Sequence, residues 1–282
     1  MQGKVVVVTG GTSGIGQVAA ERLAGMGARV ILVARSKSRG EAALSRLREV
    51  APGQAHRVHY GDVSRLADLN RLVTEIRSAE PRIDVLINNA GAMFGNRQVT
   101  EDGMELTFAT NHLSYFVLTQ GLREQLAAAG SARIVNTSSH AHYRGKINFA
   151  DLQSEHGYSG FPVYSFSKLC NVLFTRALSQ RLAGTGITTN SLHPGVVNTR
   201  FADGSGGFLE RILRIVKMFA ISPEKGAETI VYLASSDDVA KTTGLYFYKC
   251  KAVEPSKIAQ DDATAERLWN ETEKLAHFST SP

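Results

Sequence analysis

Short continuous apolar runs punctuate this chain at 4–9, 29–34, 56–60, 84–88, 133–137, 187–193 and 245–248, and the first of them reads Val-Val-Val-Val before a glycine cluster. Runs so short and β-branched predict strands buried on both faces rather than helices. Between them lie stretches with helical periodicity at 15–26, 39–50, 66–78, 104–128, 163–182 and 223–234, and another comes at 262–276. Strand and helix alternating in this way predict an α/β chain: a seven-stranded parallel sheet with helices on both faces. Right-handed crossovers then make it a single doubly wound domain spanning 1–282.

The segment at about 200–222 breaks the alternation. It opens with Gly204-Ser205-Gly206-Gly207, and over 208–219 the polar positions Glu210, Arg211, Arg214 and Lys217 share one helical face while the rest is a wide apolar stripe. This pattern spells a glycine-hinged amphipathic flap. Its apolar face suits a hydrophobic substrate or a membrane surface, or equally the chain's own core or a subunit partner.

After the first strand, Thr9-Gly10-Gly11-Thr12-Ser13-Gly14-Ile15-Gly16 leads into a helix. Gly10 permits the tight turn, Gly14 lets backbone approach a pyrophosphate and Gly16 lets helix pack on strand, with the helix N-terminus facing the phosphates. That placement predicts a Rossmann dinucleotide site that includes Thr12, Ser13 and Ile15. At the end of the second strand the chain reads Val33-Ala34-Arg35-Ser36-Lys37, with no carboxylate before Glu41 to hold ribose hydroxyls. Arg35, with Ser36 and Lys37, suits a 2′-phosphate instead, so the expected cofactor is NADP(H).

Tyr164 and Lys168 stand four residues apart on a predicted helix and share a face. A cation beside a phenol favours the phenolate and would bring the tyrosine toward acid–base use, although two polar residues on a solvated face would have the same spacing. With Asn88-Asn89-Ala90-Gly91, Asn111, Ser138-Ser139 and His193-Pro194-Gly195 in order along the chain, the set resembles the short-chain dehydrogenase/reductase family, over nearly the whole chain. Asn136-Thr137-Ser138-Ser139-His140-Ala141-His142 and Asp151-Leu152-Gln153-Ser154-Glu155 look most like its retinol dehydrogenase branch.

The resemblance implies an oxidoreductase that interconverts a carbonyl and its alcohol. It implies that Tyr164 is the acid or base, that Lys168 lowers its pKa and holds the nicotinamide ribose, and that Ser139, rather than Ser138, bonds the substrate carbonyl. Asn111 would support a water chain behind Lys168; a polar residue bending its helix is the other reading. Asp62 and Val63 match adenine-side positions, Asn89, Ala90 and Gly91 the wall beside the cofactor ribose, and Pro194, Gly195, Val197 and Thr199 the segment passing the nicotinamide. A non-catalytic NADP(H) sensor or scaffold on the same fold, or a carbon–carbon double-bond reductase, are the alternatives.

Composition narrows the rest. An apolar fraction of 43% and a charged fraction of 21% are those of a globular protein. A net charge of +6 suits anionic ligands, but the basic residues are scattered, which argues against nucleic acid. Two cysteines, Cys170 and Cys250, predict free thiols in a reducing compartment, and the dispersed histidines predict no metal site. No apolar run reaches the roughly 18 to 20 residues of a membrane span. The chain starts almost directly on a strand, so a cytoplasmic location is expected, whereas retinol dehydrogenases commonly carry an N-terminal anchor. The resemblance also implies a homodimer or homotetramer through the helices at 104–128 and 163–182. The 262–276 helix, which holds the lone Trp269, is expected to cap the substrate side or the sheet edge.

Overall fold

The structure is a computed structural model and describes residues 1–195 and 222–277. Seven parallel strands, β1 (Val5–Thr9), β2 (Arg29–Ala34), β3 (Arg57–Tyr60), β4 (Val85–Asn88), β5 (Arg133–Thr137), β6 (Thr188–His193) and β7 (Tyr246–Tyr248), form one sheet in the order 3-2-1-4-5-6-7. The order reverses between β1 and β4, and in an open parallel sheet that reversal opens a crevice at the strands' C-terminal ends.

An eighth strand, β8 (Lys251–Val253), adds antiparallel to β7 and takes the sheet beyond the seven strands expected. All three of its residues are exposed, so it carries no apolar run to read. Its connection is equally silent: Lys249 and Cys250 both take positive φ, 49° and 59°. Such a two-residue hairpin turn ordinarily advertises itself with Asn-Gly or Asp-Gly.

Because strand residues alternate faces, the sheet builds two cores. Val6, Val8, Leu32, Ile87 and Phe247 pack against helices α1 (Gly14–Gly25), α2 (Lys37–Val50) and α8 (Pro223–Ser235). Val5, Val7, Ile31, Leu86 and Tyr246 belong to the opposite core, with α3 (Leu66–Ala79), α5 (Ser114–Gly121), α7 (Gly160–Arg181) and α9 (Asp262–Leu275).

The single helix expected over 104–128 is broken into α4 (Leu106–Phe108), a π-turn (Ala109–Leu113), α5 and α6 (Arg123–Ala128). Glu105, fully buried, caps α4 by accepting from the Thr107 and Phe108 amides. A π-turn inserts a residue into the helical ladder and rotates the succeeding turns, here around Asn111. Helix α9 packs on α7. Its Trp269 packs on Phe116 of α5 and Phe174 of α7, with ring centroids 4.8 and 5.7 Å apart, and Arg181 lies over the indole at 4.1 Å. Cys170 is buried and Cys250 half-buried, and both are free thiols. Among the described residues no helix is long and apolar enough to cross a membrane.

Candidate active site

The glycine turn sits where β1 meets α1. Gly10 and Gly14 take φ of +67° and +57°, a region that favours glycine. A Cβ on Gly10 would lie 2.9 Å from the Ala90 Cα, and one on Gly16 2.4 Å from both Gly10 O and Asn89 Nδ2. Thr9 fixes the neighbouring strand end, its Oγ1 accepting from the Asn89 and Ala90 amides at 2.9 and 3.0 Å. The Asn89 side chain turns back to donate to the Thr9 and Gly10 carbonyls. Ser13 flanks α1 without capping it through its side chain. The first turn of α1 thus offers backbone N–H groups and the positive end of a helix dipole to an anion.

At the end of β2, Arg35 is exposed, and its guanidinium stands 3.6 Å from the Asp62 carboxylate. Asp62 is also held by Ser64, whose amide and hydroxyl donate to Oδ1, and Val63 packs against the core. Ser36 caps α2 by accepting from the Arg39 amide, and no acidic residue occupies that helix's first turn. An exposed ion pair of this length holds weakly, so Arg35 retains freedom to meet another anion. The glycine turn and the open helix terminus fit a dinucleotide.

Past the C-terminal ends of β4 and β5 the remaining groups converge. Lys168, 2% exposed, donates from Nζ to Thr137 O at 3.1 Å. The same ammonium lies 5.7 Å from the Tyr164 ring centroid and 5.8 Å from that of Tyr115. A Cβ on Gly91 would stand 3.2 Å from Lys168 Nζ and 3.3 Å from Asn111 Oδ1, so glycine leaves room for both groups. Asn111 Oδ1 accepts from the Ala92 amide, while its Nδ2 donates to Ala92 O and Ser167 Oγ, each at 2.9 Å. The π-turn is what aims Asn111 at this loop.

The two serines divide their work. Ser138, buried, donates to Lys168 O at 2.7 Å and ties β5 to α7. Ser139 accepts from the Ala141 amide at 3.2 Å, and its side chain hydrogen-bonds Tyr164. Burial pushes the Tyr164 phenol up to about 12, with the Ser139 bond pulling the other way. Burial alone brings the Lys168 ammonium down to about 7. The family resemblance implies a cation that lowers the phenol; burial acts against the charged form of both side chains.

Residues not foreseen complete the arrangement. Tyr115 donates to Ala90 O at 2.9 Å, Ser167 bridges Asn111 and Tyr164 O, and His142 holds Ser139 O. Ser167, inside the Tyr-x-x-x-Lys spacing, and His142, inside the 136–142 segment, carried a local signal. At the end of β6, Pro194 and Gly195 are described, Gly195 with φ of 98°. Val197, Thr199 and nearly all of the expected flap lie outside the described residues.

Known proteins are similar to this chain over most of its length. The family profile described as short chain dehydrogenase matches residues 4–206. Retinol dehydrogenase 12 of Homo sapiens is 41% identical over 270 residues, covering 96% of this chain and 85% of the relative. Retinol dehydrogenase 14 of Mus musculus is 40% identical over 291 residues, covering 98% and 86%. The crystal structure of an uncharacterized protein from Mycobacterium paratuberculosis has a TM-score of 0.80 and 33% identity, covering 100% of this chain and 96% of that one.

Proposed function

Because the chain belongs to the short chain dehydrogenase family, we propose that it is an NADP(H)-dependent oxidoreductase that interconverts an apolar, retinal-like aldehyde or ketone and its alcohol. The observation that carries this reading is the Ser139–Tyr164 hydroxyl pair beside the buried Lys168. A carbonyl oxygen entering between the two hydroxyls accepts a hydrogen bond from each. Tyr164, protonated across the neutral range, gives its proton to that oxygen, and the Lys168 cation stabilises the phenolate left behind. In the reverse direction the phenolate takes the alcohol proton. The dinucleotide, when bound, supplies or accepts the hydride; orientation and proton transfer belong to the chain. Asn111, fixed by Ala92 and Ser167, supports a water path behind Lys168.

Arg35 supports the choice of cofactor, as an exposed cation at the end of a strand that lacks the usual acid. The retinol dehydrogenases among its relatives support an apolar substrate. A panel of aliphatic, aromatic and polyene aldehydes with NADPH should consume the cofactor; no turnover across the panel with NADPH bound counts against the reading. Arg35→Ala should weaken NADPH binding at least about tenfold, as loss of a charge-assisted bond requires, and leave NADH nearly unchanged. Equal loss of both removes Arg35 from the 2′-phosphate.

A further inference from the structure

His142 lies in the 3-10 turn His140–Arg144 that Ser139 caps, and its ring is fully buried. Nδ1 lies 2.7 Å from Ser139 O, and Nε2 lies 3.1 Å from the Ser256 amide. A backbone amide can only donate, so Nε2 is the acceptor and the proton sits on Nδ1, from which it is given to Ser139 O. One neutral tautomer satisfies both partners. Burial holds the ring in that form by bringing it down to about 4. Tyr143 and Tyr246 pack against it at centroid distances of 4.0 and 4.6 Å.

The other flank of the turn presses on the helix that carries Tyr164. A Cβ on Gly145 would fall 2.6 Å from Ser165 O and 2.8 Å from the Leu169 Cβ, so the turn lies directly against the α7 backbone. Ser139 is thereby held from two sides: α7 on one, and through His142 the segment just after β8 on the other. We propose that His142 is a positioning residue, fixing Ser139 against Tyr164 by bridging the Ser139 carbonyl to the Ser256 amide. The inference rests on the reading that Ser139 and Tyr164 address the substrate oxygen, and it makes a remote C-terminal segment part of the active-site frame.

Three variants of the full chain test it. His142→Phe keeps the ring and loses both bonds. Ser256→Pro removes only the donor to Nε2, at a residue whose φ of −58° already suits proline. Ser139→Ala supplies the reference. His142→Phe should lower kcat on an aldehyde by about tenfold or more, as misplacement of an oriented group does, with the Kd for NADPH unchanged. Ser256→Pro should lower kcat less, and adding His142→Phe to Ser139→Ala should cost little further. The Tyr164 13Cζ resonance should move toward its Ser139→Ala position in both other variants, a readout that needs no turnover. Wild-type kcat in both variants, full additivity with Ser139→Ala, or an unmoved Tyr164 resonance would overturn the proposal. Should the wild type reduce no carbonyl, the functional reading fails separately, and the resonance still decides whether His142 positions Ser139.

Discussion

Tyr164 and Lys168 share one environment, and burial drives both toward their neutral forms, the phenol to about 12 and the ammonium to about 7. For carbonyl reduction the consequences differ. A phenol near 12 remains a proton donor throughout the working range, whereas the lysine loses its charge near neutrality. The free-enzyme profile of kcat/KM for reduction should therefore be level below about pH 6 and fall as pH rises through about 7, by up to about tenfold per unit. A level profile from about pH 6 to 9 would show that the Lys168 charge does no work. The i, i+4 spacing made the pair visible in the sequence. The sign of the balance was not, because desolvation depends on what α7 packs against: Thr137 O, Tyr115 and the 3-10 turn all come from distant parts of the chain. The bridging role of His142 was hidden for the same reason, since the Ser256 amide it meets lies 114 residues away.

At the scale of elements, β-branched runs and glycine punctuation revealed the seven parallel strands to within a residue at their ends. What escaped were elements made by tertiary demand. The π-turn exists to aim Asn111 at Ala92, and β8 forms on a hairpin without turn residues. The tight turn at Gly10 was legible, since its positive φ is a demand of the backbone. Gly16 tests the close approach beside it: its Cβ would meet the Gly10 carbonyl, which cannot swing aside. Gly16→Ala should destabilise the fold by about 1–3 kcal/mol through overpacking and weaken NADPH binding. Gly53→Ala, whose Cβ meets nothing within 4 Å, should leave both unchanged. Equal thermal denaturation midpoints and equal NADPH affinities in the two variants would contradict the close-approach account.

Among the described residues four histidines lie in the interior, His56, His112, His142 and His193; burial lowers all four, the last three to about 4. Unfolded, each would titrate near 6.5. Between those values the unfolded chain binds more protons than the folded one, so stability falls as pH drops from about 6.5 to 4 and is fully present above it. Urea denaturation at pH 5 and pH 7 should show the lower midpoint at pH 5; coincident curves would mean that the histidines charge freely in the folded state. His112 reaches across the molecule, its Nε2 2.9 Å from Thr272 Oγ1 of α9. Through that bond and the Trp269 stack, the C-terminal helix braces α5 and α7, the helices that carry or adjoin Asn111, Tyr164 and Lys168.

Everything proposed for the site converges on one proton at Tyr164. The most direct measurement compares wild type and Tyr164→Phe for NADPH consumption with an apolar aldehyde, alongside NADPH binding by each. The account predicts a rate lower by about 10²- to 10⁴-fold, the range for loss of a positioned general acid, with NADPH affinity retained. Undiminished turnover in Tyr164→Phe would contradict it.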